Sequence, residues 1–188
     1  MDNQSQSIKA IFDNISLSVI SFLEDQKQVG DLEFAERLGV PESSLDSWET
    51  EHAPYKLPED YKSFLQISDG LLLTWKIIKG GSTHPLGSMH LNKLSEVQMI
   101  RLEKFKLSVV GQEYYSDDES EDGVEKPVIA AFNIDSKAQN GRVALMYKNT
   151  FDKPQVWFQD LSCCWFFIAN SFTDYFRLMI MHLGLPHW

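Results

Sequence analysis

Residues 57–75, LPEDYKSFLQISDGLLLTW, oblige a helix and a strand to meet across a corner three residues long. Pro58 suits the first position of a helix, where its missing N–H leaves no bond unmade, and Glu59 and Asp60 then lie where the helix dipole favours negative charge. Tyr61, Phe64, Leu65 and Ser68 recur at the three- and four-residue spacing of one helical face. Gly70 supplies the left-handed residue that stops a helix without a Cβ penalty. The run that follows, LLLTWKII, is too apolar and too rich in branched and aromatic residues for a surface loop. It predicts a strand with Leu71, Leu73, Trp75 and Ile77 on one face. The Ser68-Asp69-Gly70 corner is therefore expected to turn the chain rather than to cradle an anion, since no strand precedes it and no second glycine opens its backbone.

Upstream, Ile8, Ile11, Phe12, Ile15, Val19, Phe22 and Leu23 follow helical spacing, which predicts a helix from about Ser5 to Asp25. The segment 29–40 admits two readings: Leu32 and Phe34 alternate as in a strand, whereas Phe34, Leu38 and the Gly39 stop suit a short helix. In SSLDSWETEH, residues 43–52, a serine N-cap and the spacing of Leu45 and Trp48 predict a short helix before Pro54.

Downstream, KGGSTHPLGSMHL (79–91) reads as a loop leading to a short strand at Met89–Leu91, and SEVQMIRLEKFKL (95–107) as a helix with a basic second half. An acidic insertion at about 113–126 follows, in which Asp117, Asp118, Glu119, Glu121, Asp122 and Glu125 surround one apolar residue, Val124. Such a run repels itself and has nothing to bury, so a solvated, disordered loop is expected. A calcium loop fits poorly, because Gly123 stands seventh from Asp117 rather than sixth.

From Val128 the hydrophobic period becomes two. VIAAFNI and RVALMY flank an Asn140-Gly141 pair, a strong hairpin signal, and QVWFQD continues an antiparallel meander. After CCWFFIA, Ser171 can cap a last helix with Asp174 three residues on; Phe172, Tyr175, Phe176, Met179, Ile180 and Leu183 form its apolar face, and Gly184 and Pro186 end it. The expected fold class is α+β, a single domain over 1–188 with helices first, a mostly antiparallel β-sheet and a C-terminal helix packed on it. Trp48, Trp75, Trp157 and Trp165 fall on apolar faces and are expected in the core.

Composition narrows the function. A net charge of −10 repels phosphate backbones and anionic lipid, so no nucleic acid and no membrane partner is expected. No basic region with an apolar run opens the chain and no stretch reaches the length of a membrane span, which points to a cytoplasmic location. Cys163 and Cys164 are adjacent and cannot staple distant segments, so they are expected to stay reduced. The five histidines form no ligand pattern, no phosphate-binding glycine loop is present, and the glycines that a nucleophile elbow would need around Ser88 are Leu86 and His90. No catalytic, metal or cofactor-binding residue is assigned, and no cofactor is expected.

Taken together, SWE, LPEDYKSFLQISDGLLLTW and PLGSMHL resemble the SUKH superfamily, whose members carry a tryptophan helix, an L-P-x-D-Y helix ending in glycine, and a strand after it. Trp48, Pro58, Asp60, Tyr61, Gly70 and Trp75 are the matching positions. Through PLGSMHLNKLSEV, VALMYK, VWFQDLSCCWFF and FTDYFRLMIMHLGLPHW the likeness is to one branch, subunits of the assembly that adds glutamate chains to tubulin tails. That resemblance implies a SUKH-like fold and a non-catalytic adaptor at centrosomes, basal bodies or cilia, partnered by other subunits including the glutamate ligase, with tubulin or microtubules contacted indirectly. The alternative it leaves open is a stand-alone SUKH binding module, such as an immunity protein against a toxin nuclease. Leu86, Met89, Leu185 and Trp188, which no helical or strand face claims, are the candidate protein interface, with Trp188 either an exposed anchor or folded onto the core.

Overall fold

Two sheets of unequal size take their strands from the two halves of the chain, and the helices fill the space beside them. The computed structural model describes residues 9–10, 12–13, 18–100, 106–109, 112–115, 130–148 and 153–186. Where described, the N-terminal segment is helical and ends in α1 (Ile20–Glu24). The open question at 29–40 resolves as a strand, β1 (Val29–Phe34), with α2 (Glu42–Glu51) and α3 (Glu59–Ile67) after it. The N-caps of α2 and α3 are Pro41 and Pro58. No serine caps α2, and Pro58 stands one place before the first helical residue, where its extended backbone starts the helix equally well.

β2 (Leu71–Lys79) and β3 (Ser82–Leu91) form a hairpin turned by Gly80 and Gly81, and β1 pairs with the other edge of β2. The loop expected over 79–91 is thus ten residues of strand. Proline survives inside it because β3 is an edge strand and is bulged there: Gly87 faces Trp75, Pro85 faces Lys76, and Leu86 is the extra residue.

The expected helix at 95–107 is also corrected. A single 3₁₀ turn at Leu94–Glu96 leads to β4 (Met99–Ile100), and β5 (Lys106–Val109) follows. Leu94, Val97 and Ile100 are buried three residues apart, which mimics helical spacing, but pairing of β4 with the larger sheet decides the conformation. β6 (Gln112–Tyr115) occupies the start of the predicted acidic loop. The carboxylates at Asp117, Asp118, Glu119, Glu121, Asp122 and Glu125 lie outside the described residues.

The meander is as expected and longer: β7 (Ala130–Asp135), β8 (Gly141–Tyr147), β9 (Gln155–Asp160) and β10 (Cys164–Ala169) run antiparallel. Sheet order is β4-β7-β8-β9-β10-β5-β6, with β10 and β5 the parallel pair. Asn140 adopts the left-handed backbone that the Asn-Gly signal implied, but the β7–β8 connection spans residues 136–140 rather than two residues.

The last helix, α4 (Phe172–Met181), starts as predicted: Ser171 Oγ accepts from Asp174 N at 3.1 Å. Its apolar face packs on the large sheet and against α3, with Tyr61 and Phe172 rings 4.6 Å apart and Phe64 and Phe176 rings 5.3 Å apart. All four predicted core tryptophans are buried, Trp157 and Trp165 in a second cluster on the opposite face of the large sheet.

Burial raises the phenols of Tyr61, Tyr147 and Tyr175 above their ordinary value of 10.0. Since the folded-state values are raised, the protonated phenols contribute stability in full below about pH 10, and that contribution is lost as pH climbs further. In an alkaline titration followed by ultraviolet absorbance, these three are expected to ionise only as the circular dichroism of the fold disappears. Smooth release of every tyrosine near pH 10 with the fold intact would contradict their burial.

Candidate functional site

Ser68, Asp69 and Gly70 answer locally for their place at the helix–strand corner. α3 ends where Ser68 turns extended, not at Gly70, and Ser68 Oγ donates to the Gly70 carbonyl at 2.7 Å. Asp69 Oδ1 accepts from Leu94 N at 2.7 Å, tying the corner to the 3₁₀ turn. Gly70 has φ +85° as expected, and a side chain there would meet Arg37 and the Leu91 carbonyl. The corner is a brace, and the candidate surface lies elsewhere.

The candidate surface forms where residues 83–90, around Leu86, and residues 183–186, around Leu185, come together. The bulge in β3 brings Gly87 against the Trp75 indole, where a Cβ has no room. Trp75 Nε1 then reaches past it to donate to the Leu183 carbonyl at 3.0 Å. Ser88 N donates to the Gly184 carbonyl at 2.9 Å. These two bonds pin the turn after α4 along β3.

Between this seam and the ends of β8, β9 and β10 lies a groove of about 600 Å³, walled by Pro85, Leu86, Phe166, Ile168, Leu185 and Pro186. Its volume is that of a ligand or peptide site. Leu86 and Leu185, half-buried, line it. Met89 does not: it is 0% exposed, because its place opposite Leu73 turns it into the core, and it is withdrawn from the candidate interface. Trp188 lies outside the described residues.

Polar chemistry at the groove is specific. Asp135 is buried and its Oδ1 lies 2.7 Å from His90 Nδ1, a pair that joins β3 to the end of β7; the same oxygen accepts from Lys137 N at 2.8 Å. Asp160 is half-buried, and its Oδ1 accepts from Ser162 N and Cys164 N at 2.9 and 2.8 Å, which shapes the β9–β10 turn. Among the described residues no group of three His, Cys, Asp or Glu side chains is placed to hold a metal ion, and no helix is long and apolar enough to cross a membrane.

Asp60 is the residue whose importance the sequence reading understated. Its Oδ1 accepts from Tyr61 N at 3.0 Å, while Oδ2 takes Thr173 N at 2.8 Å and Thr173 Oγ1 at 3.0 Å. One carboxylate thus serves the first turns of both α3 and α4. Trp48 has a comparable role, donating through Nε1 to the Val97 carbonyl at 2.9 Å.

These positions fall in the part of the chain that matches a known family. The model of the SMI1 / KNR4 family (SUKH-1) matches residues 39–178. The chain belongs to the SUKH-1 family. Within that match lie α2, α3, both arms of the β2–β3 hairpin and the meander, whereas β1 and the Gly184–Pro186 wall of the groove lie beyond it. The SUKH-1 chain is also similar to proteins named tubulin polyglutamylase complex subunit 2: 33% identical to that of Rattus norvegicus, 32% to that of Mus musculus and 30% to that of Homo sapiens, each over 96% of the chain. It spans about 65% of the length of the rat and mouse relatives and 64% of the human one. No solved structure matches it.

Proposed function

We propose that this SUKH-1 chain is a non-catalytic adaptor subunit of a tubulin polyglutamylase complex, helping to assemble or position the glutamate ligase on tubulin. The observation that carries the reading is the similarity over 96% of the chain to proteins whose name assigns them to that complex. Its partners are then the other subunits, the ligase among them, with tubulin or microtubules reached through them. Its place is the cytoskeleton, at centrosomes, basal bodies or cilia. The net charge of −10 supports an indirect contact, since the acidic tubulin tail and this surface repel one another.

The contact surface in this reading is the groove that Leu86 and Leu185 line. Affinity purification of the tagged chain followed by mass spectrometry is expected to recover the glutamate ligase and the other subunits. Replacing Leu86 and Leu185 by glutamate is expected to release them while thermal unfolding shows the domain still folded, because a charge in an apolar contact is costly at an interface. Recovery of a nuclease instead of tubulin-modifying subunits would favour the stand-alone SUKH module.

A further inference from the structure

Resting on the adaptor reading, we infer that the groove holds a short apolar segment of another subunit that carries a lysine or arginine, with Asp160 receiving the cation. Strand addition along the neighbouring edge is closed off. Pro85 has no N–H, Leu86 is bulged out of register, and Ser88 N already donates to Gly184. The occupant is therefore held by its side chains against Pro85, Leu86, Phe166, Ile168, Leu185 and Pro186, all apolar.

Charge then selects the occupant. Of the two carboxylates lining the groove, Asp135 is buried against His90, while Asp160 is half-buried and uses only Oδ1 in its turn. Asp160 Oδ2 accepts no hydrogen bond among the described residues, and it is the acceptor left for an ammonium or guanidinium group. Lys137, on the β7–β8 connection, also lines the groove and is exposed. The field of a chain with net charge −10 draws in a basic segment.

The probe is a set of fluorescent peptides tiling the subunits that copurify with the chain, titrated with the full chain and read by anisotropy. The peptides that bind are expected to be apolar with at least one Lys or Arg. Their affinity is expected to fall at least about tenfold in Leu86→Glu/Leu185→Glu, and severalfold with a weaker salt dependence in Asp160→Asn, which keeps the turn's acceptor and removes one charge. Should the glutamate pair unfold the domain, Leu86→Ala/Leu185→Ala takes its place with the same direction of change. Binding only by acidic or uncharged peptides, indifference to these substitutions, or binding by no peptide while the subunits still copurify would overturn the inference and leave the adaptor reading standing. Failure of the subunits to copurify would instead remove the reading on which it rests.

Discussion

Replacing Gly87 by valine is expected to cost about 3 kcal/mol, the sum of overpacking at about 1–3 kcal/mol and the loss of a part-buried hydrogen bond at about 0.5–1.5 kcal/mol. The Cβ would occupy the space of the Trp75 indole, so the ring must leave, and its bond to the Leu183 carbonyl goes with it. For a chain of this size that loss lowers the melting temperature by roughly 6–12 °C. The mechanism has its own check. In a Trp75→Leu background the ring is absent, and Gly87→Val should be milder by more than about 1 kcal/mol, a coupling that a double-mutant cycle reads directly. An unchanged melting temperature, or additive effects in the cycle, would show that the indole does not pack over Gly87.

Asp60→Ala is expected to be nearly as severe, at about 2–3 kcal/mol. Asp60 is only 7% exposed, and its removal leaves Thr173 N and the Thr173 hydroxyl without their acceptor at the start of α4, while Tyr61 N keeps only its bond to the Pro58 carbonyl. Asp60→Asn keeps an acceptor oxygen and is expected to fall between the wild type and the alanine variant. Urea unfolding should show the midpoint moving to lower denaturant with an unchanged slope, since the surface exposed on unfolding is the same. A midpoint that did not move in Asp60→Ala would mean that the carboxylate braces neither helix.

The contrast between these residues shows where the sequence could be read. The α3–β2 unit and the capped α4 were legible because their signals are local: an apolar stripe, a proline at the entry, a positive-φ glycine at the corner before β2, and Ser171 three residues before Asp174. The β7–β8–β9 meander was legible for the same reason, through short apolar, branched runs around Asn140-Gly141.

Edges and long-range bonds were not. β3 carries Pro85 and Gly87, which break any local strand pattern, and it is a strand because β2 pairs with it across a bulge. Leu94, Val97 and Ile100 have helical spacing and no helix, since a two-residue pairing of β4 with β7 outweighs propensity. The Asp60–Thr173 bonds span 113 residues and the Trp75–Leu183 bond 108, separations at which no pattern in a single sequence points to the partner. The groove follows the same rule. Leu86 and Leu185, which no local face claims, line the groove, while Met89, chosen on the same ground, is core, because its face is set by pairing with β2.

Incubating the purified chain with tubulin, glutamate, ATP and Mg²⁺, alone and then together with the glutamate ligase subunit, tests the adaptor assignment most directly. The account predicts that the chain alone adds no glutamate to tubulin and that its addition raises the glutamylation catalysed by the ligase. Glutamylation by the isolated chain, or ligase activity indifferent to its presence, would contradict it.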